Sequence, residues 1–416
     1  MLRTLLRRYL AIGTIGLAGG STIHAQALPA DRDALHAPGT DVKIYLLTMG
    51  TSPRVDEMFG HSSIWVQDTV THRDTVINWG VFDASRPDFI PHFLKGLLIY
   101  AVGGNRMVDV LYHYRGRNRS VLSQELNLSA TQKDSLLGIM RTNLLPENVN
   151  YRYDYFVDNC STKPRDILDR VLGGQLRIGA DSMTNTSYRF HALRLMQENT
   201  ALALGADIGL GRPSDRPISK WQAMFLPQQL HDWVATKQIR DSSGVLRPLA
   251  LSDRVLFQST REPEAQTAPR FGWLWIVGGV LAVIIVALGR AGRQSRGARR
   301  GAAIVSSAFA ALCGILGLLV TALWFTDHRF AHANENTLLF QPLWLILAFT
   351  LPMMISSGRT ARVTKPLLTI SAALAAIALL IHLIGLSGQA NLPIVGLVML
   401  PAIAMLMIAR DVPIER

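Results

Sequence analysis

The stretch Tyr153-Asp-Tyr-Phe-Val-Asp-Asn-Cys160-Ser-Thr-Lys-Pro-Arg-Asp166 decides how this 416-residue chain is read. Behind it, Ile167, Leu168, Val171 and Leu172 recur at helical spacing, and Gly173-Gly174 supplies a stop. The pattern predicts a helix with a thiol in its first turn. There the unpaired backbone N–H groups and the positive end of the dipole favour thiolate, the reactive form. Pro164 suits a first turn, because it lacks an N–H, and leaves the cap residue open. The competing reading is a small buried hydrophobe, the commonest fate of a lone cysteine. The polar neighbours Asp158, Asn159, Ser161, Thr162 and Lys163 argue against it.

The rest of the composition narrows the compartment. Apolar residues make up 49% of the chain, and the mean hydropathy is positive. Residues 1–27 read as a secretory signal: Arg3, Arg7 and Arg8, then an apolar core from Tyr9 to Gly20, then the small-residue site Ala25-Gln-Ala27. Five apolar segments follow near 271–289, 302–325, 339–356, 367–386 and 393–409, each close to the length that crosses a bilayer core. Arginines after the first segment (Arg290, Arg293, Arg296, Arg299, Arg300) and Arg359, Arg362 and Lys365 after the third place those loops and the C-terminus in the cytoplasm. Residues 28–265 then form an outer domain and 266–416 a membrane domain, so the expected location is a bacterial inner membrane with the thiol in the periplasm.

The net charge of +12 is thereby accounted for by orientation signals, and no nucleic-acid partner is expected. No zinc-like Cys/His spacing, phosphate loop or dinucleotide fingerprint occurs, so neither metal nor cofactor is expected. The second cysteine, Cys313, falls inside a membrane segment and cannot pair with Cys160 in an ordinary disulfide. An unpaired thiol in an oxidising compartment calls for a use or for deep burial.

Along the outer domain, Val42–Thr48, the second half of 58–67, and 74–82 read as strands, the last two forming a hairpin. Residues 87–98 look helical, strands are expected at 98–102, 107–114 and 119–127, and Ser129 is a fair cap for a helix to about Leu145. Strands followed by a thiol-bearing helix make an α+β domain. A nucleophilic cysteine needs a base and the base an orienter. His61 is the favoured base because Gly60 before it permits close backbone approach. Asn78 on the neighbouring strand is the orienter, with Asp83 as the alternative. The Trp221, Met224, Phe225 and Leu226 cluster reads as a helix that packs in the core or lies on the membrane. Residues 237–268 read as loop and linker.

These residues carry a resemblance. Gly60-His61-Ser-Ser with Asn159-Cys160 resembles the circularly permuted branch of the papain-like, NlpC-type fold, in which histidine precedes cysteine. Adding Asn78-Trp-Gly-Val-Phe-Asp83, Asp158-Asn-Cys-Ser-Thr-Lys-Pro-Arg-Asp166, Trp221-Gln-Ala-Met-Phe-Leu-Pro227 and the five-span tail, the chain resembles the Lnb-type lipoprotein N-acyltransferases. The resemblance implies a thiol domain of permuted papain-like fold followed by an all-α bundle of five spans. It implies that Cys160 forms a thioester with His61 as its base, and that lipoprotein N-termini are acylated.

The expected reaction is therefore acyl transfer from a membrane phospholipid, through Cys160, to the α-amine of a lipidated N-terminal cysteine. The Cys160 N–H is the expected oxyanion donor, and Asn159, Lys163 and Arg165 are candidate oxyanion or headgroup contacts. So are His328 and Asn336 in the external loop Thr326–Asn336, where an ordinary polar loop is the alternative. His382, polar within the fourth span, is a further functional candidate. Two other functions fit the same residues. A cell-wall cysteine peptidase or amidase would use the same pair but has no need of five spans. A lipid or peptide sensor would tolerate serine at Cys160.

Overall fold

The computed structural model describes residues 32–413; the signal-peptide expectation at 1–27 lies outside them. The chain forms two compact units. One comprises the residues up to Gly50, Gly60–Ile178 and Met224–Arg261. The other comprises Thr51–Phe59, Gly179–Ala223 and the chain from Glu262 onward.

The first unit is built on strands β1 (Val42–Met49), β2 (His61–Asp68), β3 (Asp74–Val81), β4 (Ile99–Asn105), β5 (Val121–Leu126) and β6 (Asn150–Arg152). Helices α1 (Phe89–Lys95), α2 (Met107–Gly116), α3 (Ala130–Asn143) and α4 (Thr162–Val171) are interleaved with them. The expected hairpin is present: β2 pairs antiparallel with β3 on one side and with β1 on the other. Ser129 caps α3 through a full capping box with Gln132, as the sequence signal predicts. Helix α4 ends at Val171, and Gly173 and Gly174 follow at φ 64° and 86°.

Two expectations fail here. Residues 107–114 are helix α2, not a strand. Met107, Val110, Leu111 and Tyr114 recur at i, i+3, i+4 and i+7, a helical stripe that packs on Leu47, Met49, Val76 and Val121 of the sheet. Residues 237–268 are not all linker. Gln238–Arg240 and Leu246–Pro248 form a small ribbon, and Ala250–Phe257 joins the main sheet beside β5. The seven strands run Ala250–Phe257, β5, β1, β2, β3, β4, β6, with every neighbouring pair antiparallel. The mixed domain with a sheet, followed by a helical bundle, is the α+β architecture expected.

The Trp221 cluster resolves toward the core: Ala223, Met224, Phe225 and Leu226 are buried, in and just after a one-turn helix at Lys220–Ala223. Phe225 meets Phe156 edge-on at 5.3 Å. Pro227–Thr236 is a further helix, with Leu230 and Val234 turned inward.

The second unit contains five helices long and apolar enough to cross a membrane: Trp273–Ala291, Arg296–Leu323, Glu335–Ser357, Ala361–Leu383 and Leu392–Arg410. Residues 179–223, expected in the outer domain, share this unit's core, where Leu193, Ala203 and Ile208 cluster with apolar side chains of the spans. Arg189 is the polar centre of that segment. Its guanidinium donates to Asp207 Oδ1 (2.7 Å), Asp215 Oδ1 (2.9 Å), Asp207 O (2.6 Å) and Leu210 O (2.6 Å), and its side chain is 3% exposed. Removing one partner of a buried pair strands the others, so Arg189→Ala is expected to cost about 3–5 kcal/mol. Loss of thermal stability in detergent, together with new proteolytic cleavage within 179–223, checks this; an unchanged melting temperature contradicts it.

Candidate active site

The site begins with strand register. Ser63 of β2 lies directly opposite Asn78 of β3, and Met49 of β1 lies opposite His61. Side chains alternate faces along a strand, so His61 and Ser63 share one face with Asn78 and Gly80. Three side chains two residues apart or directly across thus meet on one patch of sheet.

Their hydrogen bonds fix the chemistry. His61 Nε2 donates to Asn78 Oδ1 at 3.0 Å, and Ser63 Oγ donates to the same oxygen at 2.5 Å. Asn78 Nδ2 donates to Asn105 Oδ1 (3.1 Å) and Val76 O (3.3 Å), which forces the amide oxygen toward the histidine. An amide oxygen only accepts, so Nε2 carries the imidazole hydrogen and Nδ1 is left with its lone pair. Asn78 is therefore the residue brought to His61. Asp83 is exposed, and its carboxylate accepts from Ser85 N (2.9 Å) and Ser85 Oγ (2.5 Å).

Glycines make room for this arrangement. Gly60 has φ 76°, and a Cβ there would come within 2.8 Å of Met49 O. Gly80 has φ 89°, and a Cβ there would lie 3.3 Å from the Tyr153 ring and 3.6 Å from Cys160 Cβ. Cys160 consequently sits over Gly80, on the face of the sheet that carries His61 and Asn78. The backbone N–H of Ser62 and that of Cys160 itself both point at its sulfur.

Cys160 is not in the first turn of α4, as the sequence suggested, but one residue before the cap position Ser161. Asn159 does the capping from upstream: its Oδ1 accepts from Ser161 N (2.8 Å) and Thr162 N (2.9 Å), and its Nδ2 donates to Tyr155 O (2.8 Å) and Phe225 O (3.0 Å). Both donors and both lone pairs of that amide are used inside the fold. Asn159 holds the Cys160 turn in place. Lys163 pairs with Asp158 (2.8 Å) and lies 4.5 Å over the Tyr151 ring, while Arg165 is buried and pairs with Asp166 (2.7 Å).

Burial dominates the electrostatics. It pushes the Cys160 thiol up to about 11, against the Ser62 N–H, the Arg119 charge and its own N–H, which all pull it down. Burial pulls His61 down to about 4, with the Asn78 hydrogen bond opposing and the Arg119 charge assisting. Burial thus favours a neutral thiol and a neutral imidazole at pH 7, against the thiolate expected from a helix N-terminus. Arg119, which the sequence reading missed, is buried. Its Nε donates to Gly50 O at 2.7 Å and its guanidinium lies 4.6 Å over Tyr114. A cation there favours thiolate and disfavours imidazolium.

The other candidates lie in the second unit. Asn336 is buried, donating to Ile208 O (2.9 Å) and accepting from Asn391 Nδ2 (2.7 Å). Asn334 donates to Ile208 O and Gly209 O, so these amides tie the Thr326–Asn336 loop to helix Thr200–Gly209. His328 is partly exposed in that loop. His382 has found its partners: Nδ1 donates to Ala378 O (2.8 Å), and Ser387 Oγ stands 3.2 Å from Nε2.

A raised thiol pKa has a direct readout in a Cys313→Ala background. Only thiolate reacts with iodoacetamide, so the labelling rate of Cys160 should climb about tenfold per pH unit from roughly pH 7 to 10 and level off near 11. Arg119→Gln should move that curve to higher pH. Labelling that is already maximal by pH 8 would show that the resting thiol is ionised.

Residues 36–196 match the family model described as the Lnb N-terminal periplasmic domain, a match that spans β1 to β6, α4 and the whole Cys160–His61–Asn78 arrangement. No curated protein and no solved structure matches the chain.

Proposed function

We propose, from the Lnb N-terminal periplasmic domain that residues 36–196 carry, that this multi-pass membrane protein is a cysteine acyltransferase of lipoprotein maturation. The observation that carries the reading is geometric: Asn78 orients His61 on the same sheet face over which Cys160 sits, at Gly80, in a domain chained to five apolar helices. A resting ion pair is poised to attack whatever arrives, water-borne esters included. A neutral pair ionises as the carbonyl is engaged, which suits a donor delivered by a bilayer.

In the first half-reaction Cys160 Sγ attacks the ester carbonyl of a membrane phospholipid while His61 Nδ1 takes the thiol proton. The new S–C bond and a tetrahedral oxyanion form, and the N–H of Cys160 donates to that oxygen. Collapse breaks the C–O bond, and the leaving glycerol oxygen receives the proton from His61. In the second half-reaction the α-amine of a lipidated N-terminal cysteine attacks the thioester, His61 takes its proton, and the departing sulfur recovers it. Asn78 keeps Nδ1 facing the thiol through both steps. The protein would act at the inner membrane with its C-terminus in the cytoplasm, as the charges of Arg290–Arg300 and Arg359–Lys365 direct.

Intact mass spectrometry of purified protein incubated with phospholipid tests this. Wild type should gain one fatty-acyl mass that hydroxylamine removes, Cys160→Ala should gain none, and a diacylglyceryl peptide with a free amine should discharge it. A wild type that never acylates but cleaves cell-wall peptides would favour the peptidase. Asn78→Ala should lower the acylation rate about 10²–10⁴-fold through loss of the tautomer, with the fold intact by circular dichroism. Should the peptide acylate Cys160 with no phospholipid present, the donor is the acceptor's own glycerol ester.

A further inference from the structure

One row of aromatic rings in the first unit leads away from the nucleophile. Tyr153, which crowds Gly80 beside Cys160, stacks on Tyr100 at 4.4 Å. Tyr100 stacks on Phe82 at 5.0 Å, Phe82 on Phe89 at 5.7 Å, and Phe89 on Phe93 at 6.3 Å. A file of stacked rings in an ordinary core would be buried at both ends. This one is not: Tyr153 at the thiol end, then Tyr100, Phe82 and Phe89, are only partly covered, and α1, which carries the outer end, has no buried residue at all. Ile90, Leu94 and Phe93 on that helix are 54%, 62% and 40% exposed. A short helix that turns its apolar side chains to solvent is a surface awaiting an apolar partner.

We infer that this file is the track along which the acyl chain of a membrane glycerolipid lies while its ester carbonyl reaches Cys160, with α1 as the lip that enters the lipid. The inference rests on the acyltransferase reading and adds the site of the chain. Two observations select a lipid chain over a protein partner. The row ends at the Gly80 gap where the thiol sits, so its occupant must present a reacting group there. The same chain also carries five spans that hold it on a bilayer, where acyl chains are the abundant apolar species. Lys95 in the last turn of α1 puts a cationic group beside the lip, where anionic headgroups lie.

The test uses full-length protein in nanodiscs of dipalmitoyl phosphatidylglycerol, with intact mass reporting Cys160 palmitoylation. A water-soluble donor, p-nitrophenyl acetate, reports acetylation of the same thiol. In Ile90→Ser/Leu94→Ser the ratio of palmitoylation to acetylation should fall about tenfold, since only the long chain needs the lip. Tyr100→Ala should lower the same ratio by breaking the file midway. Val70→Ser, a comparably exposed apolar residue in the β2–β3 turn, should leave it unchanged. Equal ratios in wild type, the lip variant and Tyr100→Ala would overturn the track while leaving acyl transfer standing. A wild type that takes acetyl but no palmitoyl from any donor would overturn the acyltransferase reading, and the track with it.

Discussion

The hydrogen bond from His61 Nε2 to Asn78 Oδ1 is the interaction on which the site depends, and it is a product of sheet register. A slip of one residue between β2 and β3 would carry Asn78 to the opposite face and leave His61 without an orienter. The same slip would move Gly80 from beneath Cys160 and put a side chain into the gap. Register is protected on both sides, since Ile64 and Ile77 pair across β2–β3 and are fully buried, and β1 and β4 lock the outer edges. The donation from Ser63 and the acceptance by Asn105 then leave the amide only one way round. A residue that can only orient is thus held by three neighbours, Ser63, Val76 and Asn105, before it touches the histidine.

Burial and charge act together on His61 and against each other on Cys160, and the balance bears on the resting state of both. Desolvation is the largest influence on both members, and it disfavours charge on each. Arg119 opposes desolvation at the sulfur but reinforces it at the imidazole. It therefore raises the availability of a neutral base and softens the cost of a transient thiolate. Arg119 can do this only because it is itself anchored, by Gly50 O and the Tyr114 ring, where α2 meets β5. The helix that the sequence reading mistook for a strand is therefore part of the electrostatics of the site.

What the sequence disclosed follows a physical line. Local signals were legible: the apolar length of the spans, the Ser129–Gln132 capping box, the glycines after Val171 and the Gly60-His61 entry to a strand. Strand Ala250–Phe257 was not, because Ser252, Asp253 and Arg254 give an edge strand the composition of a loop. Helix α2 was legible in its four-residue stripe and was lost to β-prone Val and Tyr. Arg119 and the Ser62 N–H act through space across the sheet, so no spacing marked them. Asn159 stands the other way: adjacency to Cys160 suggested an oxyanion or headgroup contact, while in the fold its amide oxygen caps α4.

That pattern of committed amides bears on how the proposed lipid donor would be recognised. Asn159 in the first unit, and Asn334 and Asn336 in the second, each have both amide hydrogens committed to backbone carbonyls. Lys163 and Arg165 are matched by Asp158 and Asp166. To bind a phosphate, each of these amides would first have to break a hydrogen bond, at a cost of roughly 1–3 kcal/mol, and leave a buried carbonyl unpaired, while the charges of Lys163 and Arg165 are already offset by their carboxylates. The apolar face of α1 carries no such debt, because its side chains are already in water and gain by leaving it. On the proposed acyl-transfer reading, that asymmetry favours selection of a donor by its chain rather than its headgroup, with Cys160 at one end of a row of aromatic rings.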